Sequence, residues 1–223
     1  NKSSYQEFAT IAPGKTGNVS FDFRAKKLED LGELAKNPQA YIKVSIRGRQ
    51  SLGNSSFEEV NNFTEKVVKV LSKFQMATSA EYYSGNKNLK AEAETKFMIN
   101  WSLSNSTNQI IQAKATAVLP LYVKWIGALN TNKEIVSYND VTREITWNIG
   151  TVSPNTGMDI DREVSFVASI TPSVSFGGKF KKKKKKIFLT GIDSFTNREV
   201  TSSKGSISTS SISGVLDGGI VAQ

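Results

Sequence analysis

Apolar and polar residues alternate most clearly over residues 94–125, ETKFMINWSLSNSTNQIIQAKATAVLPLYVKW. Phe97, Ile99, Trp101 and Leu103 occupy every second position, with Lys96, Asn100 and Ser102 between them. That period of two predicts a strand with one face in a core and the other in water. Ser104, Asn105, Ser106, Thr107 and Asn108 have turn chemistry, because their short side chains hydrogen-bond nearby backbone. A second alternation predicts Ile111, Ala113, Ala115, Ala117 and Leu119 inward, with Gln112, Lys114 and Thr116 outward. Pro120 ends it by removing a ladder donor. The two strands form a hairpin, with Trp101 large enough to plug the centre of a sandwich.

The same reading extends in both directions. A turn over residues 12–17 leads to Val19, Phe21 and Phe23 in strand alternation. Leu28, Leu31 and Leu34 predict one or two helical turns, stopped at Asn37-Pro38. Tyr41, Lys43, Ser45 and Arg47 alternate with Ile42, Val44 and Ile46, as in a half-buried strand. Residues 57–74 carry helical spacing at Val60, Phe63, Val67 and Leu71, yet the β-branched Val67, Val68 and Val70 favour a strand over residues 65–71. Residues 77–83, 123–125, 136–138, 144–149, 164–170 and 187–192 also read as strands. A last one is expected within the serine-rich run 202–213, anchored by Ile207 and Ile212. Short strands separated by turns, with almost no helix, predict an all-β fold: an antiparallel Ig-like β-sandwich. Trp101, Trp147 and Phe166 are the expected core residues.

The pattern also repeats. Residues 8–17 followed by Val19-Ser20-Phe21 echo residues 149–157 followed by Val164-Ser165-Phe166. The shared unit is strand, Pro-Gly or Pro-Asn turn, then a Val-Ser-Phe strand. In the second copy a sandwich's worth of strands precedes this unit; in the first almost nothing does. The expected division is therefore residues 1–76, an N-terminally truncated sandwich repeat, and residues 77–223, a complete one, in tandem. The opening Asn1-Lys2-Ser3-Ser4, with neither Met nor signal peptide, fits a processed or excised piece of a longer protein.

Composition narrows the chemistry. The chain has no His and no Cys, which excludes imidazole bases, thiolate nucleophiles, Ser-His-Asp triads, disulfides and most zinc sites. No apolar run approaches the 18 or so residues of a membrane-spanning helix. No catalytic constellation stands out, and Asp159, Asp161 and Glu163, the one alternating acidic group, are interrupted by Arg162. The expectation is therefore a protein that is not an enzyme and has no cofactor or metal.

The net charge of +9 falls to +3 once the run Lys181, Lys182, Lys183, Lys184, Lys185 and Lys186 is set aside. Together with Lys179 this run forms a candidate polyanion-binding loop, for nucleic acid or an anionic cell-wall polymer. The competing reading is a solvated hairpin tip, since only Phe180 and Phe188 flank it and no aromatics are interleaved to stack bases. Weak polyanion contact is expected, without a specific nucleic acid.

Residues in a particular order then point to a family. Tyr82-Tyr83-Ser84-Gly85, Trp101-Ser102-Leu103-Ser104-Asn105, residues 113–120, Tyr122-Val123-Lys124-Trp125, Ile145-Thr146-Trp147-Asn148-Ile149-Gly150 and Glu163-Val164-Ser165-Phe166 follow one another in that order. The arrangement resembles bacterial surface repeats of the domain-of-unknown-function-eleven type, as found in large surface proteins of candidate-phyla bacteria. The resemblance covers most of residues 77–200, with residues 8–23 similar to the end of a preceding repeat. It implies an Ig-like sandwich in tandem, displayed at the cell surface or outside the cell. The implied work is structural or adhesive, as a spacer or contact surface, with neighbouring repeats as partners. The lysine run departs from the family's mostly uncharged approach to the Ile187 strand.

Overall fold

The computed structural model describes residues 9–24, 30, 36–53, 56–129, 133–174 and 186–216. It divides into two compact units, residues 1–32 and 33–223. In the first, the described residues 9–24 hold a turn closed by Lys15 N–H donating to Ala12 O at 3.0 Å, and no strand. The alternation at Val19, Phe21 and Phe23 is thus not realised as a strand, and all three side chains are exposed. Alternation supplies a strand's two faces but not the neighbour that completes its ladder. The expected helix at Leu28, Leu31 and Leu34 lies outside the described residues.

The described residues of the second unit form eleven strands. In chain order they are β1 (Gln39–Gly53), β2 (Ser56–Lys69), β3 (Phe74–Gly85), β4 (Thr95–Asn105), β5 (Ile110–Val118), β6 (Val123–Ala128), β7 (Ile135–Asn139), β8 (Glu144–Val152), β9 (Glu163–Ile170), β10 (Lys186–Asp193) and β11 (Arg198–Gly205). One sheet runs β3-β4-β9-β6 and another runs β11-β10-β5-β8-β7, every pairing antiparallel. In the letters of an immunoglobulin sandwich the first order is A-B-E-D and the second begins G-F-C, with the β7–β8 hairpin added beyond C. The fold is an all-β, antiparallel, Ig-like sandwich. The boundary expected between residues 76 and 77 falls inside β3.

Between the sheets, Trp101, Trp147 and Phe166 are 1%, 0% and 1% exposed. Trp101 meets Phe166 edge to face at 5.2 Å, and Trp125 lies 5.0 Å from Phe166 on its way to stacking on Tyr138. Such pairs add about 0.5–1.5 kcal/mol to the burial itself. Three expectations are corrected here. β4 and β5 do not form a hairpin: β4 pairs with β3 and β9, and β5 with β10 and β8, so the turn between them crosses from one sheet to the other. Ile110, not Ile111, is the buried residue that opens β5, because the register slips between Ile110 and Ala113 and Gln112 takes φ +53°. A bulge of that kind reverses parity along the strand. The last strand begins at Arg198 and ends at Gly205, before most of the serine-rich run, since Val200 is the residue that reaches the core.

β1 and β2 stand apart from both sheets. Among the described residues they pair only with each other, in a two-stranded ribbon from Gln39↔Lys69 to Gly53↔Ser56. At about 3.3 Å per residue the ribbon is roughly 45 Å long.

Candidate functional site

The two ends of the sandwich differ in chemistry. At the end where the chain enters, residues 70–73 are held by a buried polar knot. The Ser72 backbone N–H donates to Asp193 Oδ2 at 2.8 Å, and its hydroxyl donates to Asn105 Oδ1 at 2.8 Å. That same hydroxyl accepts from the Thr107 and Asn108 N–H groups, both at 3.0 Å. Asn108 Nδ2 donates to Val70 O at 2.8 Å and to Asp193 Oδ2 at 2.6 Å, while Asn105 Nδ2 donates to Asn108 O and Ser153 O. Phe195 and Thr196 N–H groups close the turn after β10 on Asp193 Oδ1. Burial would raise the Asp193 carboxyl, but hydrogen bonds from Asn108, Ser72 and Thr196 outweigh it and hold the group below the usual aspartate range.

Three residues of the polar turn run, Asn105, Thr107 and Asn108, are interior. The side-chain amides of Asn105 and Asn108 satisfy backbone carbonyls that would otherwise be orphaned, and the Thr107 hydroxyl lies 3.4 Å from that of Ser72. The knot extends to the base of the ribbon. Val70 N–H donates to Pro38 O at 2.9 Å, Asn37 N–H donates to Thr107 O at 3.3 Å, and Lys69 Nζ donates to Phe195 O at 2.9 Å while lying over the Phe195 ring.

At the opposite end the sandwich opens into an apolar cavity of about 160 Å³, lined by Phe97, Ile99, Phe166, Ile187 and Ile212, with Lys186 on its wall. Here the chain leaves the sandwich. After β11 and a 3-10 turn at Thr209–Ser211, Ser213 docks against β3. Its N–H donates to Ala80 O at 3.0 Å and its carbonyl accepts from Tyr82 N–H at 2.8 Å. Leu216 N–H then donates to Lys87 O at 3.2 Å. Leu89, Phe97 and Ile170 form a second small core there, covered by Ile212 and Val215.

Arg162 has a role the sequence did not suggest. It lies alongside Glu134, pairing through Nε–Oε1 and, at 2.8 Å, through Nη2–Oε2, and it also donates to the Ile149 and Thr151 carbonyls. Glu134 in turn accepts from Trp147 Nε1 at 2.8 Å, so a half-buried ion pair satisfies the indole of a core tryptophan. Asp159, Asp161 and Glu163 stay exposed, and among the described residues no group of acids is placed to hold a metal. Lys179, Lys181, Lys182, Lys183, Lys184 and Lys185 lie outside the described residues; Lys186 opens β10 and is exposed. No helix among the described residues is long and apolar enough to cross a membrane.

No family model and no curated protein matches the chain. Among solved structures it is similar to BcpA*(D312A), the major pilin subunit of Bacillus cereus, at a TM-score of 0.40 and 10% identity, over 78% of this chain and 65% of that one. It is also similar to the full-length major pilin SpaD of Corynebacterium diphtheriae (TM-score 0.37, 8% identity, 83% of this chain and 62% of that one). A third likeness is to the Fcho1 mu homology domain of Danio rerio with bound Eps15 peptide (TM-score 0.34, 11% identity, 73% and 53%). The chain spans less than two thirds of each of these three, and with every TM-score below 0.5 they add nothing to the fold given by the strand order.

Proposed function

We propose that the chain is a structural and adhesive Ig-like module of a bacterial cell-surface or extracellular protein, acting as spacer or contact surface, of the domain-of-unknown-function-eleven type. One observation carries this reading: the chain enters the sandwich at Ser72 and leaves it at Ser213 on the opposite end, and both points are hydrogen-bonded to the body. Tension applied through the chain then runs along β3, about 36 Å of strand, and loads its ladder with β4 in shear. A module whose chain enters and leaves at one end would be peeled apart bond by bond.

Pulling the full chain through its termini tests this. A single cooperative event is expected, releasing roughly 500 Å of contour length as residues 70–216 extend at about 3.6 Å each. Ser72→Ala should lower the unfolding force, because it strips the acceptor from two buried N–H groups, worth about 1–3 kcal/mol each when left unpaired. Gradual extension without a force peak would end the spacer reading.

A further inference from the structure

The core of the sandwich changes character along its length. Its middle is filled by Trp101, Trp147 and Phe166, all large and fully buried. Toward the end where the chain leaves, small residues take over: Ala80 and Ala168 line the cavity from one sheet and Ala117 lines it from the other. Methyl groups cannot bridge two sheets that pack about 10 Å apart. The gap of about 160 Å³ is the result, and Phe97, Ile99, Ile145 and Ile187 make the rest of its inner wall apolar.

Protein interiors hold few gaps larger than a water molecule. Water settles only where several polar groups can hold it, and this inner wall offers carbon. An engineered apolar cavity of about 150 Å³ stays dry and takes up benzene, so the space here suits a hydrocarbon of similar bulk.

The rim is different. One side of it is the segment after β11, where Ser206, Ser208 and Thr209 bring hydroxyls and Ile207 and Ile212 bring apolar surface. Residues 206–212 belong to no sheet; their 3-10 turn is closed by Ser211 N–H donating to Ser208 O at 2.9 Å and Ile212 N–H donating to Thr209 O at 3.3 Å. This wall can therefore shift without breaking a ladder. Lys186, exposed at the start of β10, is the one charged residue among the described lining. Among the described residues no acid pairs with it, and the five residues before it in sequence are lysines too.

We propose that the cavity binds a short amphiphile, with an aliphatic chain of about six to eight carbons in the alanine-lined gap and a carboxylate at Lys186. The chain gains the dispersion contacts that the alanine methyl groups leave unmade. The ammonium fixes which end of the ligand stays at the rim. The site lies inside the sandwich, and its test is independent of how the module bears load.

The probe is octanoate brominated at its terminal carbon, titrated into the full chain while tryptophan fluorescence is followed. Bromine quenches an indole that it touches, and Trp101 is the tryptophan that lines the cavity. Saturable quenching is expected, and Trp101→Phe should remove most of it. Ala117→Leu, which fills the gap, should abolish binding with an unchanged or higher melting temperature. Lys186→Gln should weaken binding of the carboxylate about ten-fold and leave the brominated alcohol of the same length unaffected. No saturable quenching, or quenching that survives Ala117→Leu, would overturn the proposal. Equal affinity of the unsubstituted protein for carboxylate and alcohol would overturn the place given to Lys186. Quenching that appears only when Phe176→Ser and Phe180→Ser are combined would overturn the proposal in favour of a gap filled by the chain's own β9–β10 connection.

Discussion

Leu189 of β10 is 1% exposed, whereas Ile46 of β1 is 68% exposed, although both sit in the first strand of an in-register antiparallel hairpin. The difference is not in the hairpins themselves. β10–β11 lies in a five-stranded sheet under an opposing four-stranded one, so Ile187, Leu189 and Val200 fill space that another layer encloses. β1–β2 has comparable aliphatic residues and, among the described residues, no opposing layer. Its two strands pair along their length, but Ile42, Val44 and Val68 are only half-buried and Ile46 is exposed. Pairing gives a hairpin its geometry, and cover gives it most of its stabilisation.

Equal truncations should separate the two hairpins most strongly. Leu189→Ala is expected to cost about 2–5 kcal/mol, as for other fully buried leucines, while Ile46→Ala should stay within about 0.5 kcal/mol. Chemical denaturation followed by tryptophan fluorescence reports both, since Trp101 and Trp147 lie in the sandwich. Comparable losses would mean that the ribbon face is covered in solution.

A glycine pair sharpens the contrast. A Cβ at Gly191 would come 2.5 Å from Ile110 Cγ2, so the close approach of β10 to the bulged start of β5 depends on the absence of a side chain. Gly191→Ala should therefore destabilise by about 1–3 kcal/mol through overpacking. At Gly48 in β1 a Cβ meets nothing within 4 Å, and Gly48→Ala should be neutral or stabilising by about 0.5–1 kcal/mol. Thermal melts of the two variants give the comparison directly.

Acid should distinguish the hairpins next. Asp193 is held below its ordinary range in the folded state, so its contribution is present above the unfolded aspartate value near pH 4 and is lost as pH falls through the folded one. Sandwich stability should decline over that acid window, and Asp193→Asn should flatten the decline. The same slope in wild type and variant would remove Asp193 as its source.

The alternation of β4 and β8 was legible because each is half buried and uninterrupted, so parity alone selects Phe97, Trp101 and Leu103, or Ile145, Trp147 and Ile149. β5 was misread by one residue at its start, since nothing in Ile110-Ile111-Gln112 announces a bulge. The alternation of β1 was also legible as parity, with Ile42 and Val44 half-buried, but parity cannot say how far a second layer extends, and Ile46 is exposed. The knot was hardest to see. Ser72, Asn105, Asn108 and Asp193 are ordinary loop residues in sequence, and Ser72 lies 121 positions from Asp193. Only the topology brings them together. The Glu134–Arg162 pair was hidden in the same way, with Arg162 masked by its acidic neighbours in the sequence.

The four residues linking the ribbon to the sandwich impose an unusual evolutionary constraint. Val70 and Lys73 engage through their main-chain N–H and C=O groups, and Leu71 is largely exposed, so only Ser72 contributes a side chain to the knot. Substitution at positions 70, 71 and 73 should therefore be nearly free, while a single inserted or deleted residue would carry Ser72 past Asp193 and put every main-chain donor out of step. The segment is permissive in spelling and strict in length. Among relatives it would drift to apparent dissimilarity without ever gaining or losing a residue.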